Sequence, residues 1–480
     1  MIRLKQNGVR WELIDQFEPL LDKLLADRGR TVKESPAKLV TVHEIDGATF
    51  YVKRYRNDAV PLRSLKFFFK ESHSRREWTR AHKIEALGVP IVRHLALGER
   101  WGVVGLRESI LNTEGFNGVQ LHLCPERDGD EVQAVLGRLL RQMHDRGVLQ
   151  RDLYHNILVQ SKPLELKRVD VHHAEIKPAL TQQERLDNLA FLNFRVPLAD
   201  ACFRAYGWNQ ELAEQTRQRS AVMRRQHLCY RSKRCLKRNA EFAPMRLGRL
   251  KCWVRLPYLD DRLRHILNDP DEFLEHHAET LKGGRTSTVG RSGGLVVKRF
   301  NLRKATNLIK NYFRHSRARR AFRKAYHLEL VGIPTAKPIA AAERRIARFL
   351  LRSYFVMEEI PGAIDFGEWR GDKQQSMERV AELLAKLHNE GFSHRDLKET
   401  NIVFDEAGRL YLIDLEGLRF VGEIPFTRAA ADLARFAEAL GAEWPELENE
   451  FLAHYCGRRG LAAGQSEFAS QITSYLGGRA

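Results

Sequence analysis

Long apolar runs are missing. No stretch of the 480 residues approaches the ~18 apolar residues in a row that a membrane-spanning helix requires, and Met1 to Arg10 carries no apolar signal core. A cytoplasmic protein is expected, free or held peripherally on the inner face of the cytoplasmic membrane. Cysteine is scarce as well: the chain has six (Cys124, Cys202, Cys229, Cys235, Cys252 and Cys456), with no CxxC pair among them. A chain of this length does not need disulfide staples, so the scarcity points to a reducing compartment. His227, Cys229, Cys235 and Cys252 stand close in sequence, but their spacing fits no zinc pattern, and ordinary packing is expected there. Acidic residues fall short of basic ones, 61 against 80, which leaves a net charge of +19. Such a surface attracts polyanions, and charge alone does not choose among nucleic acid, anionic lipid headgroups and phosphorylated glycans.

With 43% apolar and 29% charged residues, the chain has the composition of a globular protein and the length for two cores rather than one. A repeat divides it. Residues 140–159, LRQMHDRGVLQRDLYHNILV, echo residues 384–403, LAKLHNEGFSHRDLKETNIV, at a constant offset of 244. The same offset carries Asp170 to Asp414 and Leu87-Gly88-Val89-Pro90 to Val331-Gly332-Ile333-Pro334. Shared turn chemistry would not hold one register so far. Each half reads as a lysine-bearing strand (Phe50 to Lys53; Leu295 to Lys298), a basic segment, a helix ended by Gly-x-Pro, a second helix, an Arg-Asp motif and two short strands. The expected domains are 1–240 and 241–480.

The most informative segment is His394-Arg395-Asp396-Leu397-Lys398-Glu399-Thr400-Asn401, followed by Leu412-Ile413-Asp414. It resembles the catalytic loop and metal-binding aspartate of the protein-kinase superfamily. The resemblance implies an α+β fold of two bilobal kinase-like domains in tandem, each with a β-rich N-lobe and a helical C-lobe. It implies ATP and Mg²⁺ as cofactors, Asp396 as the base toward an acceptor hydroxyl, and Asn401 and Asp414 as metal ligands. Phosphoryl transfer asks chiefly for positioning and neutralisation of charge, which these groups supply in order. Lys298 would meet the α and β phosphates. Lys282-Gly283-Gly284-Arg285-Thr286-Ser287-Thr288 is an abbreviated phosphate loop, in which Gly283, Gly284, Thr286 and Ser287 suit a phosphate, although the full G-x-G-x-x-G is absent. Met357-Glu358-Glu359 falls at the hinge, where the backbone of Glu358 and Glu359 would meet adenine. The helix glutamate that should pair with Lys298 is replaced by Ala321, and Glu329 lies too near the turn to stand in for it.

The first half has the opposite pattern. Lys53 and Glu77 form an expected ion pair, and Asp152 and Asp170 occupy the base and metal positions, again eighteen apart. Its loop, Gln150-Arg151-Asp152-Leu153-Tyr154-His155-Asn156, is one residue short, so either Asn156 or His155 takes the metal-side place. An active domain and a dead domain kept for binding both fit.

Asp170-Val171-His172-His173-Ala174-Glu175, Arg75-Arg76-Glu77-Trp78 and Arg185-Leu186-Asp187-Asn188-Leu189 resemble the lipopolysaccharide core heptose kinases and the related Kdo kinases, over most of residues 40–240 and, more broadly, 280–440. The resemblance implies a heptose or Kdo hydroxyl of the lipopolysaccharide inner core as acceptor, phosphorylated at the membrane face. Basic residues interleaved with aromatics fit an anionic glycolipid or membrane surface: Arg63, Lys66 and Lys70 around Phe67 to Phe69, and Lys304 to Lys324 around Tyr312 and Phe313. No RNA-binding module accompanies them, so nucleic acid is not the expected partner. No A-P-E segment follows either aspartate, which argues against a docked peptide substrate. Two alternatives remain at this point: a pseudokinase scaffold binding nucleotide and anionic glycolipid, and a kinase with a protein or small-metabolite acceptor.

Overall fold

Period-two alternation sets the faces of the sheets. In Ala48–Arg56, Phe50 and Val52 point into the core, which turns Tyr51 and Lys53 to the opposite face; in Leu295–Phe300, Val297 is buried on one face and Val296, Lys298 and Phe300 share the other. The computed structural model describes residues 1–57, 64–207, 210–301, 314–347, 349–441, 444–461 and 464–477; Arg63, Lys304, Lys310, Tyr312 and Phe313 lie outside them. The chain divides into two compact units, Met1–Arg224 and Arg225–Ala480. The basic run 231–238 belongs to the second, where Arg323 donates to Ser232 Oγ at 3.0 Å and to the Cys229 carbonyl at 3.2 Å.

Each unit opens with a seven-stranded antiparallel sheet of the same order. In the first unit the order is Ile2–Gln6, Val9–Leu13, His94–Gly102, Gly105–Glu114, Ala48–Arg56, Lys38–Ile45, Arg30–Ser35. In the second it is Phe242–Leu247, Leu250–Arg255, Pro338–Ile346, Phe349–Glu358, Leu295–Phe300, Ser287–Ser292, Glu279–Gly283. The lysine strand is therefore interior in both, with Lys53 opposite Leu111 and Lys298 opposite Phe355. The opening hairpin of each sheet adds two strands that no motif in the sequence announced.

A helix packs against each sheet, His73–Ala86 and Arg317–Leu330. Ser72 and Ser316 cap them, accepting from the Arg75 and Arg319 amides at 2.9 and 3.2 Å; such a cap contributes about 1 kcal/mol. Both helices stop at a left-handed glycine, Gly88 and Gly332, before Pro90 and Pro334, as the Gly-x-Pro spacing anticipates. The helical lobes are built on Asp130–Asp145 and Lys373–Asn389, whose apolar faces carry Leu136, Leu140 and Met143 in one and Val380, Leu384 and Leu387 in the other. After each comes a glycine that nothing else could replace. A Cβ on Gly147 would lie 1.8 Å from the Lys177 carbonyl oxygen, and one on Gly391 would lie 2.5 Å from that of Gly422. This close approach lets the strand leading to the Arg-Asp motif pair with the strand that follows the second aspartate.

All six cysteines are free thiols, and five of them are buried. Among the described residues no helix is long and apolar enough to cross a membrane.

Candidate active site

In the second unit, the residues separated along the chain meet between sheet and helical lobe. Lys298 Nζ donates to Asp414 Oδ1 at 3.0 Å. Asp414 occupies left-handed backbone at φ 50°, a conformation that Asp tolerates better than most residues and that turns its carboxylate toward the lysine. Burial alone would raise its carboxyl pKa, and the Lys298 ammonium overcomes that and holds it below the ordinary value. His394 Nε2–H donates to the Asp414 carbonyl at 3.1 Å, and the buried Asp432 accepts from the His394 amide at 2.9 Å, fixing the start of the loop. Asn401 Nδ2 donates to the Asp396 carbonyl at 2.6 Å, which leaves its amide oxygen for another partner. The Asp396 side chain is exposed, with Lys398 Nζ 3.0 Å away.

Two spaces adjoin these groups. A cleft of about 390 Å³ runs from Leu281 and Val296 past Met357, Glu358, Glu359 and Ile360 to Asn401 and Asp414. A more open hollow of about 500 Å³ is lined by Lys282, Thr286, Ser287, Lys298, Arg317, Asp396 and Asp414. Gly283 and Gly284 sit at the turn above it and line neither space; a Cβ on Gly283 would meet nothing within 4 Å. At the hinge, the Glu358 amide donates to the Lys337 carbonyl at 2.9 Å and the Glu359 amide to that of Gly294 at 2.8 Å. The Glu359 carboxylate pairs with Arg291 at 3.1 Å. Among the described residues no protein acceptor faces the Ile360 amide, which makes it the segment's available donor.

The missing helix carboxylate has a replacement that the sequence did not announce. Ala321 lines the cleft where Glu77 would stand, and Glu329 is engaged by Arg255 at 2.6 and 2.9 Å. Glu416, two residues beyond Asp414, lies 3.3 Å from Lys298 Nζ, and its other oxygen is bonded by Arg317. Arg317 also donates to the Thr286 carbonyl at 3.3 Å. Loop, helix start and phosphate turn are thereby tied to one lysine. Replacing Glu416 by alanine should lower turnover by up to ~10²-fold, the cost of a misplaced charged group, and Ala321→Glu in the same chain should restore much of it. Steady-state kinetics of the single and double variants check this, and an unrescued double variant would show that Glu416 does not act on Lys298.

The first unit uses the helix carboxylate instead. Lys53 Nζ donates to Glu77 Oε1 at 3.0 Å and also to Asp170, which shares the left-handed backbone of Asp414 at φ 51°. His94 Nε2 lies 3.4 Å from Glu77, and His172 stands where Glu416 stands in the second unit. Gln150 replaces His394, donates to Asp152 at 3.3 Å and accepts from the fully buried Arg168. Asn156 is buried at the end of the turn Leu153–Asn156, whereas the exposed His155 ring packs on Tyr154 and His122. The cleft here is smaller, about 220 Å³. Its walls explain why: Tyr51 occupies the place of Val296, Phe116 that of Ile360 and Leu158 that of Val403.

The family described as lipopolysaccharide kinase (Kdo/WaaP) matches residues 22–219 and 275–451, most of both units. The chain belongs to that family. A 3-deoxy-D-manno-octulosonic acid kinase of Xylella fastidiosa (strain 9a5c) is 32% identical over 122 residues, 25% of this chain and 48% of the relative. One from Vibrio parahaemolyticus serotype O3:K6 (strain RIMD 2210633) is 26% identical over 132 residues, 27% of this chain and 53% of the relative. The chain spans about half the length of these curated relatives. Among solved structures, WaaP in complex with acyl carrier protein is 22% identical, covering 45% of this chain and 97% of its own, with a TM-score of 0.34. An aminoglycoside-3'-phosphotransferase of type VIII is 15% identical, covering 52% and 99%, with a TM-score of 0.29. Each unit of this family member joins a seven-stranded sheet to a helical lobe, and the family match covers most of both.

Proposed function

We propose that the chain transfers the γ-phosphate of ATP to a sugar hydroxyl, heptose or Kdo, of the lipopolysaccharide inner core, and that the second unit performs the transfer. The observation that carries this reading is the Lys298–Asp414 contact at 3.0 Å, with the exposed Asp396 facing the same hollow. In this reading adenine lies in the cleft beside the Ile360 amide, Lys298 meets the phosphates, and Asp396 accepts the proton of the attacking hydroxyl. The carboxylate of Asp414 and the free amide oxygen of Asn401 are the hard oxygen donors a magnesium ion takes, and the ion would supply further neutralisation of phosphate charge. The open hollow beside Asp396 suits a glycan better than a docked peptide.

The first unit keeps the ion-paired lysine but has a narrower cleft and a shortened loop, which favours a binding role over transfer. Exposed Phe68 and Phe69 with Lys66 and Lys70 offer a contact for an anionic membrane surface.

Purified full-length chain, incubated with γ-labelled ATP, magnesium and dephosphorylated inner-core oligosaccharide, should place the label on the glycan. Label retained in ATP, or found only on protein or a small metabolite, would reject the proposed acceptor.

A further inference from the structure

A third hollow of the second unit, about 660 Å³, has no place in the reaction described above. Eight of its twelve lining residues are basic and none is acidic. Six of them are Lys233, Lys237, Arg319, Arg320, Arg323 and Lys324, and among the described residues none of these has a carboxylate within ion-pair distance. What holds them is neutral. Arg323 donates to Ser232 Oγ and the Cys229 carbonyl, and Lys324 donates to the Leu415 and Glu416 carbonyls, both at 2.9 Å.

The repeat shows that this imbalance is not a property of the fold. In the first unit the counterpart of Arg319 is Arg75, neutralised by Glu12 at 2.7 Å and Glu99 at 3.0 Å. In the second unit the counterpart of Glu99 is Glu343, which faces Arg319 but is bonded by Arg345 at 3.0 Å. Arg319 Nε is buried without a partner, and so is Nε2 of His327, whose ring lies between Phe392 and Phe420 on the floor of the hollow. Burial, then the neighbouring Arg320, pushes the Lys324 ammonium down to about 8, as expected where cations gather without counter-charge.

Like charges packed this way repel one another unless an anion joins them, and a guanidinium cluster with buried N–H donors matches the oxygens of a phosphate in number and geometry. We propose that this hollow is a phosphate-binding site, separate from the cleft that holds Lys298, taking a phosphomonoester or diphosphate group. It lies one helix and one hairpin from the reaction: Lys324 holds the carbonyls just after Asp414, and Phe392 begins the strand that leads to Asp396. The phosphate could be free or be carried on a glycan; the second source rests on the acceptor proposed above, and the site itself does not.

The test titrates the whole chain with inorganic phosphate, followed by ³¹P line broadening, in the parent and three variants. In Lys233→Gln/Lys237→Gln/Arg320→Gln, which removes three exposed side chains that hold no internal bond among the described residues, affinity should fall at least ~tenfold, and in Arg320→Gln alone by a smaller factor. Lys298→Met, which disables the other phosphate contact, should leave it within about twofold. Unchanged affinity in the triple variant, loss in Lys298→Met, or no saturable binding in the parent chain would each overturn the site. A phosphorylated core oligosaccharide that displaces phosphate, and stops doing so after phosphatase treatment, identifies a glycan-borne group; glycans that displace nothing identify the free anion. Either result can stand if phosphate transfer to the core fails, so the two readings fail separately.

Discussion

An Asp396→Ala chain is expected to transfer phosphate ~10²–10⁴-fold more slowly, the range for loss of a positioned general base. The Asp152→Ala chain is expected to stay within about twofold of the parent, because the proposed function assigns transfer to the second unit. The effect should appear in kcat rather than KM, since Asp396 lies in the hollow beside the phosphate end of the cleft and not among the residues of its hinge end. Its side chain is exposed and, among the described residues, its ion-pair partner is Lys398 alone, so the fold should be unaffected. Transfer assays on the two variants, each alone in the full chain, check the assignment. Equal losses would make both units catalytic, and a loss confined to Asp152→Ala would move the reaction to the first.

Glu77→Ala is expected to destabilise the first unit by about 3 kcal/mol, the lower end of the cost of breaking a buried ion pair, because Asp170 remains to hold Lys53. For a unit of this size that is roughly 6–12 °C in midpoint. Glu77 is fully buried; removing it leaves the Lys53 ammonium with one partner and His94 with an unpaired ring nitrogen. The pH dependence has a definite sign. Burial would raise the Glu77 carboxyl, but the Lys53 ammonium holds it well below its ordinary value of 4.5. A depressed carboxyl contributes stability that is fully present above its unfolded value and lost as pH falls below it. The gap between parent and variant should therefore be constant near neutral pH and shrink below about pH 4.5. Hydrogen exchange of helix His73–Ala86 reads this directly, with Arg317–Leu330 as the internal control.

Much of this architecture was legible because local chemistry dictates it. Gly88-x-Pro90 and Gly332-x-Pro334 end helices since only glycine adopts the left-handed cap without cost and proline cannot continue the helix. Lys53 and Lys298 are read from their strand-forming neighbours, and Asp396, Asn401 and Asp414 from their spacing along the chain. Other features had no local signature. Asp432 meets His394 across 38 residues, and His388 Nδ1 meets the Tyr455 hydroxyl at 2.6 Å across 67. Glu416 adjoins a motif aspartate, but nothing in its immediate neighbours indicates that its carboxylate replaces one lost from a helix ninety-five positions upstream. The backbone amides of Glu358 and Glu359 are already engaged by Lys337 and Gly294, a detail of strand register that side-chain identity does not encode.

The relocation of that carboxylate changes what can govern the strand lysine. In the first unit an outward swing of His73–Ala86 would carry Glu77 away from Lys53 and dissolve the pair, so helix position acts as a gate. In the second, the added partner of Lys298 rides on the same short loop as Asp414, and the helix reaches that loop through Arg317, on the Glu416 carboxylate, and Lys324, on the Leu415 and Glu416 carbonyls. Displacing Arg317–Leu330 would release the Glu416 carboxylate from Arg317 and the loop carbonyls from Lys324, while the bond from Lys298 to Asp414 involves no helix residue. In that half the pairing of the lysine follows the position of a loop rather than a carboxylate carried by the helix itself.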